Sequence, residues 1–85
     1  KVPNNTISLQ VKFDKRVAYR VYDEITTEII VDENGDLLTT IELPNDERMV
    51  SYLFSYGSNV EGLQPKEIRL QIKQLIQTIG EKYKT

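Results

Sequence analysis

With 85 residues, 39% of them hydrophobic and 28% charged, this chain is one small globular domain that can bury a single core with little reserve. Eleven Lys and Arg against thirteen Asp and Glu leave a net charge of −2, and there is no Cys and no His. Disulfides, thiolate and imidazole metal sites, and Ser-His-Asp or Cys-His catalysis are therefore excluded, and no apolar run is long enough to span a bilayer.

The absence of Cys fits a reducing compartment, and no stretch has the pattern of a signal peptide. The chain opens on Lys1 rather than Met and is expected to be a fragment of a longer protein. Charge is unevenly spread. Lys12, Lys15, Arg16 and Arg20 lie close together, whereas Val21 to Glu47 holds nine acidic residues and no Lys or Arg. That middle third would repel phosphate. As a solvated acidic surface it also discourages sheet edges from pairing with other chains.

Residues 1–6 form a polar lead-in with Pro3, expected as a linker from a preceding domain, and residues 7–85 a single domain. Ile7 to Phe13 alternates strictly, with Ile7, Leu9, Val11 and Phe13 on one face and Ser8, Gln10 and Lys12 on the other, which predicts a half-buried strand. Asp14 stands where a helix N-cap belongs, and Val17, Ala18, Val21 and Tyr22 make an apolar stripe, predicting a helix from Lys15 to about Asp23.

Thr27 to Leu43 reads as a hairpin around Asn34-Gly35. A two-residue turn would set Val31 opposite Leu38; a three-residue turn with Gly35 as the bulge would set Val31 opposite Leu37. The second places Ile29 and Val31 on one face with Leu37, Thr39, Ile41 and Leu43. A one-residue slip would send that set to solvent, so the bulged turn is predicted.

Asn45 or Asp46 caps a second helix whose stripe is Met49, Val50, Leu53 and Phe54, and Gly57 follows as a left-handed stop. Asn59 to Leu63 is too short for a helix and reads as a strand. Pro65 suits the first position of the longest helix, Pro65 to about Tyr83. Its apolar face is Ile68, Ile72, Leu75, Ile76, Ile79 and Tyr83, and Gly80 weakens its last turn.

Strand, helix, strand, strand, helix, strand is the split βαβ arrangement. The predicted fold is α+β: a ferredoxin-like βαββαβ sandwich with a four-stranded antiparallel sheet of order 4-1-3-2, its first two helices on one face, and an additional C-terminal helix. Two helices suffice to cover so small a sheet. The third must bury its stripe here or on another chain, which makes Ile72, Leu75 and Ile79 candidate dimer contacts.

Motifs for chemistry are sparse. There is no glycine-rich phosphate loop. Asp32 to Asp36 fails as a calcium loop, with Gly at the fourth place and no bidentate Glu at the required offset. The carboxylates lack apolar surroundings that would raise a pKa, so no enzyme, metal or cofactor is expected. RNA-recognition modules of this topology stack bases on aromatics of the central strands. Here Phe13 lies on the buried side and Leu37 to Leu43 has no aromatic, so that route is not expected. The five tyrosines are read as packing residues. Lys12, Arg16 and Arg20, with Lys15, are the candidate anion or effector patch, Arg16 and Arg20 sharing a helix face by their spacing.

Ile7-Ser-Leu-Gln-Val-Lys-Phe13 and Val17-Ala-Tyr-Arg-Val-Tyr22, then Asn34-Gly-Asp-Leu37, then Ser55-Tyr-Gly57 closing a helix, are followed by Val60-Glu-Gly-Leu-Gln-Pro65 and a last helix with Ile68-Arg69 and Tyr83. In that order they resemble the C-terminal extension (WCX) domain of bacterial WYL-domain helix-turn-helix transcription regulators of the DeoR/YafY type, over Thr6 to Tyr83. The resemblance implies a cytoplasmic, homodimeric regulator that binds DNA through an N-terminal helix-turn-helix lying outside this sequence and senses a nucleic acid or another anion. The extension would contribute to dimerisation and effector response, with the family's basic surface mapping onto Lys12, Arg16 and Arg20. The alternative is a stand-alone ligand-binding or subunit-assembly module of the same fold.

Overall fold

The computed structural model of the chain describes residues 5–84. The expected lead-in lies largely outside them, and Thr6 already belongs to the first strand, β1 (Thr6–Phe13). β1 is central. On one side it pairs antiparallel with β3 (Leu37–Pro44), in register from Thr6 opposite Pro44 to Phe13 opposite Leu37. On the other it pairs antiparallel with β4 (Val60–Gln64), and β2 (Ile30–Val31) flanks β3. The order is β2-β3-β1-β4, the predicted topology.

Alternation in β1 and β3 sends Leu9, Val11, Phe13, Leu37, Thr39 and Ile41 to one face, all buried. There they meet Val21 of α1 (Ala18–Glu24) and Met49 and Leu53 of α2 (Glu47–Phe54). Ser8, Gln10, Thr40 and Glu42 face the other way and are exposed. The core is thus one layer deep. Six side chains in it are under 2% exposed, each stabilising the fold by about 1.5–3 kcal/mol through burial.

The hairpin takes the bulged register: Val31 opposite Leu37 and Ile30 opposite Leu38. Gly35 holds φ at +87°, and the Asp32 carboxylate accepts the N–H groups of Asn34 and Asp36 at 2.9 and 3.0 Å. β2 is shorter than the sequence suggested. The Thr39 hydroxyl donates to the Glu28 carbonyl at 2.6 Å and lies 3.0 Å from the Thr27 hydroxyl. A side chain thus meets the backbone where further ladder bonds were expected, and Thr27 to Ile29 leave the strand. Ile29 still packs on the core, but Val31 is 53% exposed. On an outermost strand of two residues it lies beyond the cover of the helices.

Asp14 and Asp46 each cap through a carboxylate, accepting the Arg16 and Arg48 N–H groups, both at 2.8 Å. Of the two candidates for the second cap, Asp46 takes the role. The first helix begins with a 3₁₀ turn, Lys15–Val17, before α1 proper. Gly57 turns left-handed at φ +62°, and a second 3₁₀ turn, Gly57–Asn59, leads into β4. Pro65 sits one place earlier than predicted, as the N-cap of α3 (Lys66–Lys82), its carbonyl accepting from Ile68 and Arg69 at 3.1 and 3.2 Å. β4 carries a bulge: Val11 faces Gly62 and Gln10 faces Gln64, leaving Leu63 as the extra residue and keeping the polar Gln64 off the core.

α3 has the predicted stripe, but only its first turns find cover. Ile68 is buried and Ile72 packs on the core. Further along, Ile76 is 54% exposed and Tyr83 81%.

Candidate functional site

The four clustered cations of the sequence do not form one open patch. Lys12 extends from the open face of β1 and places Nζ 3.9 Å from a carboxylate oxygen of both Asp32 and Asp36. Lys15 reaches the same hairpin: its N–H donates to Asp36 Oδ1 at 3.0 Å and its Nζ to the Asn34 carbonyl at 3.3 Å. Arg16 lies in the 3₁₀ turn rather than in α1, and its guanidinium bonds the Asp14 carboxylate at 3.0 and 3.1 Å. The structure therefore brings Lys12 and Lys15 together on the hairpin tip and gives Arg16 and Arg20 separate partners.

Arg20 points to the end of α2. It donates to Glu24 Oε2 at 3.0 Å, to the Ser55 carbonyl at 3.1 Å and to Ser55 Oγ at 2.9 Å. Its guanidinium carbon stands 3.8 Å from the centre of the Tyr56 ring, a cation–π contact. Tyr56 itself is buried, packed 4.8 Å from Phe13 and 5.7 Å from Tyr52 between ring centres, and its hydroxyl donates to Glu24 Oε1 at 2.8 Å.

This cluster was not visible in the sequence, because Arg20, Glu24 and Tyr56 lie on two elements with a hairpin between them. Packing is the right reading for Tyr52 and Tyr56. Tyr19, Tyr22 and Tyr83 are exposed.

The electrostatics are those of closed pairs. Hydrogen bonds from the Arg16 side chain, then from its backbone N–H, hold the Asp14 carboxyl at about 2. Arg48 does the same in direction for Asp46. The Tyr56 hydroxyl, then Arg20, lower Glu24, and burial, then the bond to Glu24, pushes the Tyr56 phenol up. Such shifts fix each group in its resting charge state and leave none of them poised to exchange protons near neutrality. Among the described residues no buried side-chain polar atom lacks a partner, and no three acidic residues converge as metal ligands.

The candidate dimer contacts divide. Ile72 packs on the core, Leu75 is half-buried, and Ile79 is 37% exposed. On the flank of α3 that faces β4 runs a groove of about 570 Å³, floored in part by Gly62, Ile72 and Ile76. No helix among the described residues is long and apolar enough to cross a membrane.

The fold is thus a one-layer α+β sandwich whose described charged clusters are closed on themselves, with a long amphipathic helix half uncovered. The model of the WCX domain family matches residues 5–80, and the chain belongs to that family, the C-terminal domain of WYL-containing transcriptional regulators. No curated protein matches the chain.

Proposed function

We propose that this domain contributes to dimerisation of a cytoplasmic, DNA-binding regulator through the second half of α3, while a helix-turn-helix domain beyond this sequence holds the DNA. The observation that carries this reading is the uncovered stripe. Leu75, Ile79 and Tyr83 continue the line of Ile68 and Ile72 past the end of the core, and Tyr83 is 81% exposed. An amphipathic helix gains little from propensity alone and stays folded chiefly by burying its apolar face. Two turns of helix are small against the roughly 1,000 Å² that a specific interface needs, so this domain alone would pair weakly and add to contacts made elsewhere in the regulator.

The test is Leu75→Glu with Ile79→Glu, followed by sedimentation of the full-length regulator. A shift toward monomer at micromolar concentration is expected. An unchanged dimer removes α3 from the interface.

The effector half of the reading rests on Arg16, whose side chain is 73% exposed. An anion there must compete with Asp14, which favours a polyanion such as an oligonucleotide, reaching Arg16 with one of several phosphates, over a single small ion. Arg16→Ala should weaken the effector response and flatten its salt dependence. An unchanged response and slope would remove Arg16 from the effector surface.

A further inference from the structure

β4 is the outermost strand on its side of the sheet, and α3 lies along it. The phase of the ladder shows which backbone groups face outward. Asp14 N–H donates to the Asn59 carbonyl at 2.8 Å, so Asn59 and, two residues on, Glu61 bond toward β1. Val60 and Gly62 alternate with them and turn their N–H and C=O groups to the free edge. The Gly62 carbonyl confirms the phase: Arg69 Nη1, from α3, donates to it at 2.8 Å while also bonding Glu61 Oε2 at 2.7 Å. One rung of the edge is thus covered by an exposed side chain, and the remaining groups of Val60 and Gly62 pair with no strand among the described residues.

The groove between this edge and α3 is lined on its apolar part by Val60, Leu70, Ile72 and Ile76, and Lys66, Arg69 and Lys73 stand along its lip. Ile72 packs directly over Gly62: a Cβ there would stand 3.6 Å from Ile72 Cδ1, an ordinary contact. Two cations on the lip are uncommitted, while Arg69 beside them is paired with Glu61, which also lines the groove. Lys12, Arg16, Arg20 and Arg48 each face a carboxylate, whereas among the described residues Lys66 and Lys73 belong to no ion pair. In a chain of net charge −2 this is a local reversal of sign beside an apolar floor and an unpaired strand edge.

We infer that this groove takes an extended, acidic segment of another polypeptide, added as a fifth strand to β4. Edge amides supply main-chain bonds, and the apolar lining at Leu70, Ile72 and Ile76 takes an apolar side chain. Lys66, Lys73 and a released Arg69 meet the segment's carboxylates. A nucleic acid would satisfy the lysines but leave the edge amides and the apolar floor unanswered. The site lies on the flank of α3 toward β4 and does not depend on the pairing proposed above.

The test uses the 85-residue chain and a fluorescent, end-blocked nonapeptide alternating glutamate with valine, followed by anisotropy and by amide NMR. Binding with Kd under roughly 1 mM is expected. Shifts should be concentrated on Val60 to Gly62 and on α3. Lys66→Glu with Lys73→Glu, both at exposed positions, should weaken binding by about tenfold or more. The same peptide N-methylated at alternate residues should not bind, because it cannot add to an edge. The inference is overturned by no binding, by shifts that map to β2, or by an affinity indifferent to charge reversal or N-methylation. Tighter binding of a single-stranded oligothymidylate of equal charge at the same residues would also overturn it and assign the groove to nucleic acid.

Discussion

Two replacements of Tyr56 separate the work of its ring from that of its hydroxyl. Tyr56→Phe keeps the ring 4.8 Å from Phe13 and 3.8 Å under Arg20 and removes only the 2.8 Å bond to Glu24. Glu24 is exposed and keeps its bond from Arg20, so it rehydrates, and the cost should be an ordinary net hydrogen bond, about 0.5–1.5 kcal/mol. Tyr56→Ala empties a site where the residue is 3% exposed and should cost about 3–5 kcal/mol. Against a total of roughly 4–13 kcal/mol for a chain this long, the first variant stays folded and the second approaches the limit.

Urea unfolding followed by far-ultraviolet circular dichroism measures both, provided the slope with denaturant is unchanged. If Tyr56→Phe proves as costly as Tyr56→Ala, the phenol–carboxylate bond, and not the buried ring, holds α1 to the end of α2. If Tyr56→Ala costs under about 1 kcal/mol, Tyr56 is no part of the core. The pH dependence adds a second check. A phenol whose pKa is raised by burial contributes stability that is complete below the unfolded value, about 10, and is lost as pH rises above it. Tyr56→Phe should lack that alkaline loss.

Gly35→Val should destabilise the hairpin by about 1–3 kcal/mol, because a β-branched residue must then hold φ +87°. A Cβ there also stands 3.3 Å from Lys15 Cδ, and an unchanged melting temperature would contradict the bulged turn. Leu53→Ala, in the layer between α2 and the sheet, should cost about 2–5 kcal/mol by chemical denaturation; a loss under 1 kcal/mol would place the core elsewhere. Acid should weaken the fold in a defined window. The folded pKa of Asp14 is depressed, so its contribution is present above the ordinary value of 3.8 and is lost as pH falls toward about 2. Asp46 and Glu24 act in the same direction. Melting temperatures should fall between pH 5 and pH 2, less steeply in Asp14→Asn; a flat profile would show these bonds add nothing.

What the sequence revealed was local. Strict alternation from Ile7 to Phe13 fixes which face is buried, and Gly35 and the Leu37–Thr39–Ile41 spacing fix the hairpin register, because period two leaves no intermediate choice. Asp14, Asp46 and Gly57 mark helix ends through groups they carry themselves. What stayed hidden was decided by partners distant in the chain. Thr39 looked like one more inward strand residue, yet its hydroxyl meets Glu28 and shortens β2. Arg16 and Arg20 looked like neighbours on one helix face, but a 3₁₀ turn separates them and Asp14 and Ser55 claim them. The apolar stripe of α3 was legible in full, whereas how far the core reaches along it depends on where β4 ends.

The contacts of Lys15 with Asp36 and Asn34 have a mechanical consequence. They staple the loop of the hairpin to the start of α1 from the side, across some twenty residues of chain, while β2 contributes only two rungs from below. The usual order of peeling is therefore inverted: the two rungs can release while the loop stays moored. A push on that loop is therefore met first at the β1–α1 junction, where Lys15 stands.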